Sequence, residues 1–319
     1  MSLTVVGAGA FGTALAIALA RDGTKVTLWS RDADDVSLMA ASRVSGHRLP
    51  GVPLPESLEV STDRNAFEAA VCLLAIPAQS LSGFLSEVHF NPATALVACA
   101  KGIDRTSGLG PVGTIRHASQ KNVAGIITGP SFAVDIAQGL PTALVLATTE
   151  KSDATTLQAK LTRPNLRLYR STDVIGAELG GALKNVIAIA AGIAIGAGLG
   201  DSARASVIAR GFAELSRFAT AKGAKIETVQ GLSGLGDLVL TCTSPKSRNF
   251  AAGVSLGAGN TPEPGKTIEG LSTAQVVADE AQALGLEVPL IQSIADVVEG
   301  QLDIPSAIET LLARPVGTE

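Results

Sequence analysis

The sequence predicts an α/β protein in two parts: a doubly wound, mostly parallel sheet over residues 1–172, and an all-helical domain over residues 173–319. Three observations carry this expectation. Short apolar or β-branched runs alternate with helical patterns through the first half, as in sheets covered on both faces. The first of these runs ends in a glycine-rich turn, Gly7-Ala8-Gly9-Ala10-Phe11-Gly12. From about Thr172 the apolar period changes from two to about 3.6, and no convincing strand follows.

Taken in order, the candidate strands are Leu3 to Val6, Lys25 to Trp29, Leu58 to Ser61, Val71 to Ile76, Ala95 to Cys99, Val123 to Thr128, Thr142 to Thr148 and Leu166 to Tyr169. A helix over Thr13 to Arg21 joins the first two. The stretch Ser42 to Ser57, with Pro50, Pro53 and Pro55, reads as an excursion off the sheet. In the second half the predicted helices are Val174 to Ala194, Ala203 to Lys222 closed by Gly223, Thr273 to Leu284 capped by Ser272 and closed by Gly285, and Pro305 to Leu312.

The glycine turn is the first functional signal. A strand that enters such a turn and leaves as a helix aims backbone N–H groups and a positive helix end at one spot, where a pyrophosphate binds. Gly7 lets the backbone turn, Gly9 lets it approach the phosphates, and Gly12 allows close helix–strand packing. With a second strand following at once, the first domain reads as Rossmann-like, with a dinucleotide cofactor. The end of the second strand decides which one. An acidic residue there would hold the ribose hydroxyls of NAD, whereas an arginine accommodates the extra phosphate of NADP. Here the strand ends Leu28-Trp29-Ser30-Arg31. The expectation is NADP(H) preferred, with NAD(H) accepted, and Arg31 over the adenosine phosphate.

Composition bounds the partners. In 319 residues the net charge is −4, with 46% hydrophobic and 17% charged residues and no basic cluster, which argues against nucleic acid or an anionic membrane as partner. Cys72, Cys99 and Cys242 are too few and too scattered for a disulfide framework or a metal cage, so no metal is expected. No secretory signal is evident, and a reducing cytoplasm fits best. The run Val186 to Leu199 is uncharged but too short to cross a bilayer, so no membrane insertion is expected; it reads as a buried core helix. The apolar helices of the second domain suit a homodimer.

Ligands of open parallel sheets sit beyond the carboxyl ends of the strands. Three later strands run into Pro77, Ala100-Lys101-Gly102 and Gly129-Pro130-Ser131-Phe132-Ala133, loops expected to converge on one crevice. Lys101 offers a compact charge to a phosphate or carbonyl oxygen. Within Gly180-Gly181-Ala182-Leu183-Lys184-Asn185 a single lysine interrupts an apolar helix. Desolvation brings such a lysine towards the range useful for proton transfer, and no histidine lies in any candidate motif, so Lys184 is the candidate acid/base. Further on, Asp237 follows Gly234-Leu235-Gly236 amid apolar residues, and Ser247-Arg248-Asn249 opens a helix. Hydroxyl, guanidinium and helix dipole together suit a phosphate on a small-molecule substrate.

Together these motifs, with Leu238 to Thr243 and Glu269-Gly270, resemble the NAD(P)-dependent glycerol-3-phosphate dehydrogenase family of bacterial type, and they span nearly the whole chain in that family's order. The resemblance implies reversible reduction of dihydroxyacetone phosphate to sn-glycerol 3-phosphate, feeding phospholipid synthesis. It implies Lys184 as proton donor, with Lys101, Gly129, Ser131, Asp237, Ser247, Arg248 and Asn249 lining the substrate. It further implies that Phe11, Arg31, Lys101, Ala133, Arg248 and Glu269 contact the cofactor, beside the turn residues Gly7, Gly9, Ala10 and Gly12. From architecture alone, other hydroxy-acid dehydrogenases, ketopantoate reduction and a non-enzymatic redox sensor stay open.

Overall fold

A computed structural model describes residues 2–262 and 268–312 of the chain. They form two compact units, the first holding 2–104 and 109–178, the second 105–108 and the described residues from 179 onward.

The first unit contains β1 (Leu3–Val6), α1 (Ala10–Ala20), β2 (Val26–Trp29), α2 (Ala33–Ser42), β3 (Leu58–Ser61), β4 (Val71–Leu74), α3 (Ala78–Glu87), β5 (Ala95–Ala98), α4 (Pro111–Ala118), β6 (Ala124–Thr128), α5 (Ala133–Gln138), β7 (Thr142–Thr148), α6 (Lys151–Leu161) and β8 (Leu166–Ser171). The strands lie in the order β3-β2-β1-β4-β5-β6-β7-β8. β1 to β6 are parallel, β6 and β7 are antiparallel, and β8 runs with β7. All eight strands expected from sequence are present. They are legible because β1, β4, β5 and β6 are buried along their whole length, which requires unbroken apolar or small residues. Leu15 and Leu19 of α1 pack with Val5, Leu28 and Leu73 in one core. The excursion between α2 and β3 is off the sheet, pinned by an isolated bridge between Val44 and Pro53.

Helix α7 (Val174–Gly196) begins in the first unit and continues in the second. The second unit adds α8 (Gly200–Ala221), α9 (Ile226–Val229), a π-helical turn (Leu232–Gly236), α10 (Asp237–Cys242), α11 (Arg248–Gly257), α12 (Glu269–Ala283), α13 (Pro289–Val298) and α14 (Ile304–Leu312), with no strand among its described residues. At 23 residues α7 is long and apolar enough to span a membrane, which corrects the expectation from the shorter run. What identifies it as a core helix is burial: 89% of its apolar window lies inside the protein.

Two details differ from the sequence reading of this unit. Helix α12 starts at Glu269 after Ile268, and Ser272 does not cap it; the Ser272 hydroxyl bonds back to the Glu269 carbonyl at 3.0 Å. The Gly270 N–H, which a local cap would serve, donates instead to Oδ1 of Asn249 on α11, 3.0 Å away. Helix α13, unforeseen, is capped from a distance too: Leu290 and Ile291 donate their N–H groups to the buried Glu214 carboxylate at 2.8 and 3.0 Å.

Glycines decide how closely the helices approach. A Cβ on Gly192 would collide with the carbonyl oxygen of Phe250, and one on Gly253 with that of Ile189. Side chains there would force α7 and α11 apart.

Candidate active site

In the first unit the sheet order reverses between β1 and β4, and the glycine turn leaves β1 at this switch point. Gly7 has φ +108°, a conformation L side chains rarely adopt, and donates its N–H to the Trp29 carbonyl at 2.8 Å. A Cβ on Gly12 would strike the Gly7 carbonyl oxygen. Gly9 differs: its φ is −69°, and a Cβ there would meet nothing within 4 Å. No side chain caps α1 at Gly9, so the amides of Ala10 and Phe11 open its first turn uncapped. This cradle fits a dinucleotide pyrophosphate.

Arg31 is exposed just beyond β2. The adjacent Asp32 is committed to the backbone: its carboxylate caps α2 by accepting from the Asp35 N–H at 3.1 Å. The loops after β5 and β6 meet as expected. Lys101 Nζ donates to the Gly129 carbonyl at 3.1 Å, and the Ser131 hydroxyl donates to the same oxygen at 3.2 Å. Gly129 has φ +136° and lies against Leu144. Ala133 opens α5.

The second unit holds a separate polar cluster built on α7. Gly180 and Lys184 are one turn apart and share a face. A Cβ on Gly180 would stand 2.6 Å from the Ser233 carbonyl oxygen, so its absence lets the π-helical turn lie against α7. One turn further along both elements, Lys184 Nζ donates to Asp237 Oδ1 at 2.8 Å and to Thr241 Oγ1 at 2.6 Å. The Thr241 hydroxyl in turn reaches Asp237 Oδ1 at 3.3 Å. All three side chains are buried. The lysine expected to suffer desolvation is thus buried, but its charge faces a carboxylate that favours the ammonium.

The neighbouring face of α7 carries Asn185. Its Oδ1 accepts from Asn249 Nδ2 at 2.9 Å, and its Nδ2 donates to Glu269 Oε2 at 3.3 Å. Ser247 caps α11 by accepting from the Phe250 N–H at 3.2 Å, and Arg248 is exposed on the first turn of that helix. Lys184 and Asp237 are therefore brought together, as are Asn249 and Glu269 through Asn185. Thr241 and Asn185 were not among the residues expected. Thr241 falls at i+4 from Asp237, a spacing that would have exposed it once α10 was recognised; Asn185 had no local signal beyond its position beside Lys184.

Burial pushes the Cys99 and Cys242 thiols up to about 12, against the nearby Lys101 and Lys184 charges, so neither is a ready nucleophile. Among the described residues no group of three or more His, Cys, Asp or Glu could hold a metal ion.

Comparison with known proteins adds two family models, described as the N-terminus and the C-terminus of NAD-dependent glycerol-3-phosphate dehydrogenase, which match residues 2–154 and 173–309. A glycerol-3-phosphate dehydrogenase of Paracoccus denitrificans (strain Pd 1222), named for NAD(P)+, is 53% identical, with 100% of both chains covered. A like-named protein of a Ruegeria species is 52% identical, again with 100% of each covered. Among solved structures, the glycerol-3-phosphate dehydrogenase of Coxiella burnetii superimposes with a TM-score of 0.93 at 36% identity, covering 98% of this chain and 99% of that one.

Proposed function

The chain belongs to the NAD-dependent glycerol-3-phosphate dehydrogenase family, and on that premise we propose that it reduces dihydroxyacetone phosphate to sn-glycerol 3-phosphate reversibly, feeding glycerophospholipid synthesis. The observation that carries the reading is the buried pair, 2.8 Å apart, between Lys184 on α7 and Asp237 on α10.

Bound NADPH or NADH supplies the hydride in one direction, and its oxidised form accepts it in the other. The residues of the chain supply binding, orientation and a proton. Lys184 donates a proton from Nζ to the carbonyl oxygen during reduction and recovers it from the hydroxyl in reverse. Asp237 and Thr241 hold that ammonium at one place, with little rotational freedom left to it. Lys101, with Gly129 and Ser131, stabilises negative charge on the substrate. Ser247, Arg248 and Asn249 take the phosphate at the start of α11, where helix dipole and guanidinium act on the same anion.

On the cofactor, Gly7, Gly9, Ala10, Phe11 and Gly12 cradle the pyrophosphate, and Ala133, Arg248 and Glu269 complete the contacts. Arg31 beside the adenosine ribose makes NADPH the preferred partner, because Asp32 is occupied as a helix cap. The enzyme works as a cytoplasmic homodimer, which sedimentation of the purified chain tests.

The decisive experiment follows absorbance of NADPH, and separately of NADH, when the protein meets dihydroxyacetone phosphate. Rapid oxidation, abolished in Lys184→Ala, supports the assignment. No oxidation despite measurable NADPH binding would overturn the substrate.

A further inference from the structure

Helix α4 begins after Gly110, which has no side chain to cap it. The N–H of Val112 donates instead to Oε1 of Glu178 at 2.7 Å, 66 residues further along the chain on α7. Gly110 makes this possible, since a Cβ there would stand 2.6 Å from the Glu178 carboxylate. Between β5 and α4 runs the segment carrying Lys101. It is tied by Gln79 Nε2 to the Ile103 carbonyl at 2.7 Å and by the Asp104 N–H to the Leu109 carbonyl at 2.9 Å. The sheet fixes one end of this segment at Ala98, and the first turn of α4 fixes the other.

We propose that Glu178 is a positioning residue: its carboxyl seats the N-terminus of α4 and thereby sets the segment that presents Lys101. The proposal rests on the reading of Lys101 as a substrate residue given above. Neither the cofactor turn nor the Lys184 cluster accounts for a carboxyl at this place.

The charge state of the seat follows from its surroundings. Burial pushes the Glu178 carboxyl up to about 7, although the Val112 N–H and the Arg116 guanidinium on α4 both pull it down. Arg116 is the one charged group acting on it among the described residues. The seated state therefore holds a proton that a hydrated glutamate would release. Raising the pH through 7 loosens the seat and lowering it tightens the seat. Glutamine is neutral throughout and keeps an acceptor oxygen for Val112, so it mimics the seated form at every pH.

The test compares the full-length protein with Glu178→Gln and Glu178→Ala from about pH 5.5 to about pH 8.5, a range that brackets the carboxyl. Removing the cap in Glu178→Ala is expected to raise KM for dihydroxyacetone phosphate about tenfold while kcat falls less than about threefold. The ratio of wild-type to Glu178→Gln KM should stay near one in acid and rise through neutral pH. A flat ratio, or a Glu178→Ala KM within about twofold of wild type, would overturn the proposal, because lost capping interactions of this kind are ordinarily worth more. Amide hydrogen exchange over 110–116 reads the seat without turnover. Faster exchange there in wild type than in Glu178→Gln above neutral pH supports it, even if the protein fails to act on dihydroxyacetone phosphate. Equal exchange at every pH would sink it, and that measurement does not depend on Glu178→Ala folding.

Discussion

The ammonium of Lys184 lies 2.8 Å from Oδ1 of Asp237, between side chains only 8% and 1% exposed. At that depth each charge has lost most of its hydration and is tolerated because the other is there. Lys184→Ala removes the ammonium that faces the buried Asp237 carboxylate, and Asp237→Ala removes the carboxylate that faces the buried ammonium. Each single change is expected to cost about 3–5 kcal/mol of unfolding free energy. The double variant Lys184→Met/Asp237→Leu removes both charges and keeps volume, so it should cost clearly less than the sum. Urea unfolding of the four proteins measures the coupling, and additive losses would show that there is none. In turnover, Lys184→Ala is expected to lose about 10²–10⁴ in kcat, the usual worth of a positioned proton donor.

The three glycines of the turn after β1 divide into two phenotypes. A methyl at Gly9 meets nothing in the protein and the backbone there is ordinary, so Gly9→Ala should leave Tm unchanged. On the proposed reading its cost falls on the ligand, through a methyl where the pyrophosphate would approach. Gly12→Ala drives a methyl into the Gly7 carbonyl and should lower stability by about 1–3 kcal/mol or more. Gly7→Ala combines strain at φ +108° with a contact of 2.7 Å to the Ala75 carbonyl oxygen and should destabilise too. Thermal unfolding paired with NADPH fluorescence titration separates these cases. A large Tm loss in Gly9→Ala would refute the reading.

On the proposed reading Arg31, at the end of β2, decides between the dinucleotides, with Asp32 occupied at the cap of α2. Arg31→Glu is expected to lower the NADPH to NADH ratio of kcat/KM by about tenfold or more, since it replaces a phosphate-binding cation by a carboxylate suited to ribose hydroxyls. Asp32→Ala should cost about 1 kcal/mol of stability as a lost cap and leave that ratio nearly unchanged. An unchanged ratio in Arg31→Glu would remove Arg31 from the cofactor site.

What the sequence discloses and what it hides follow from the range of the interactions. Val71 to Leu74 is legible as a strand because burial on both faces demands a continuous apolar run. The turn at Gly7 is legible because backbone sign and close approach are local demands on residue type. Lys184 is conspicuous as a charge within an apolar helix. Asp237 stands out for the same reason, but the pairing does not: the two are 53 residues apart, and Glu269 lies 84 residues from Asn185, so no spacing rule links them. The start of α12 shows the same limit. Ser272 carries the local chemistry of a cap, but Asn249 serves the Gly270 N–H from another helix. The reversal of β7 and β8 is likewise a property of pairing, since a strand's residue pattern reads the same in both directions.

Glu214 supplies a stability prediction remote from the chemistry. Its buried carboxylate accepts from two consecutive N–H groups at the start of α13, one on each oxygen. Glu214→Gln keeps one acceptor and turns an amide donor towards the other N–H, which should cost about 1–3 kcal/mol. Glu214→Ala leaves both donors without that acceptor and opens a cavity, so its loss should be larger. Denaturant midpoints check the order, and a Glu214→Gln protein as stable as wild type would show that the cap is dispensable.

Glu178 gives the fold a pH dependence whose sign is fixed by its surroundings. In the folded chain burial raises its carboxyl from 4.5 to about 7, outweighing the Val112 N–H and Arg116. The folded state thus binds a proton that the unfolded state releases between those values. The stabilisation is complete below about 4.5 and is lost as the pH rises through about 7. Across that window this one group should lower stability by up to about 1.4 kcal/mol per pH unit. Glu178→Gln removes the proton and with it the slope. The difference in unfolding free energy between Glu178→Gln and wild type should therefore grow in favour of the variant between pH 5 and pH 7 and level off above. A difference independent of pH would mean that Glu178 is hydrated in the native protein, with no raised carboxyl and no proton-linked seat for α4.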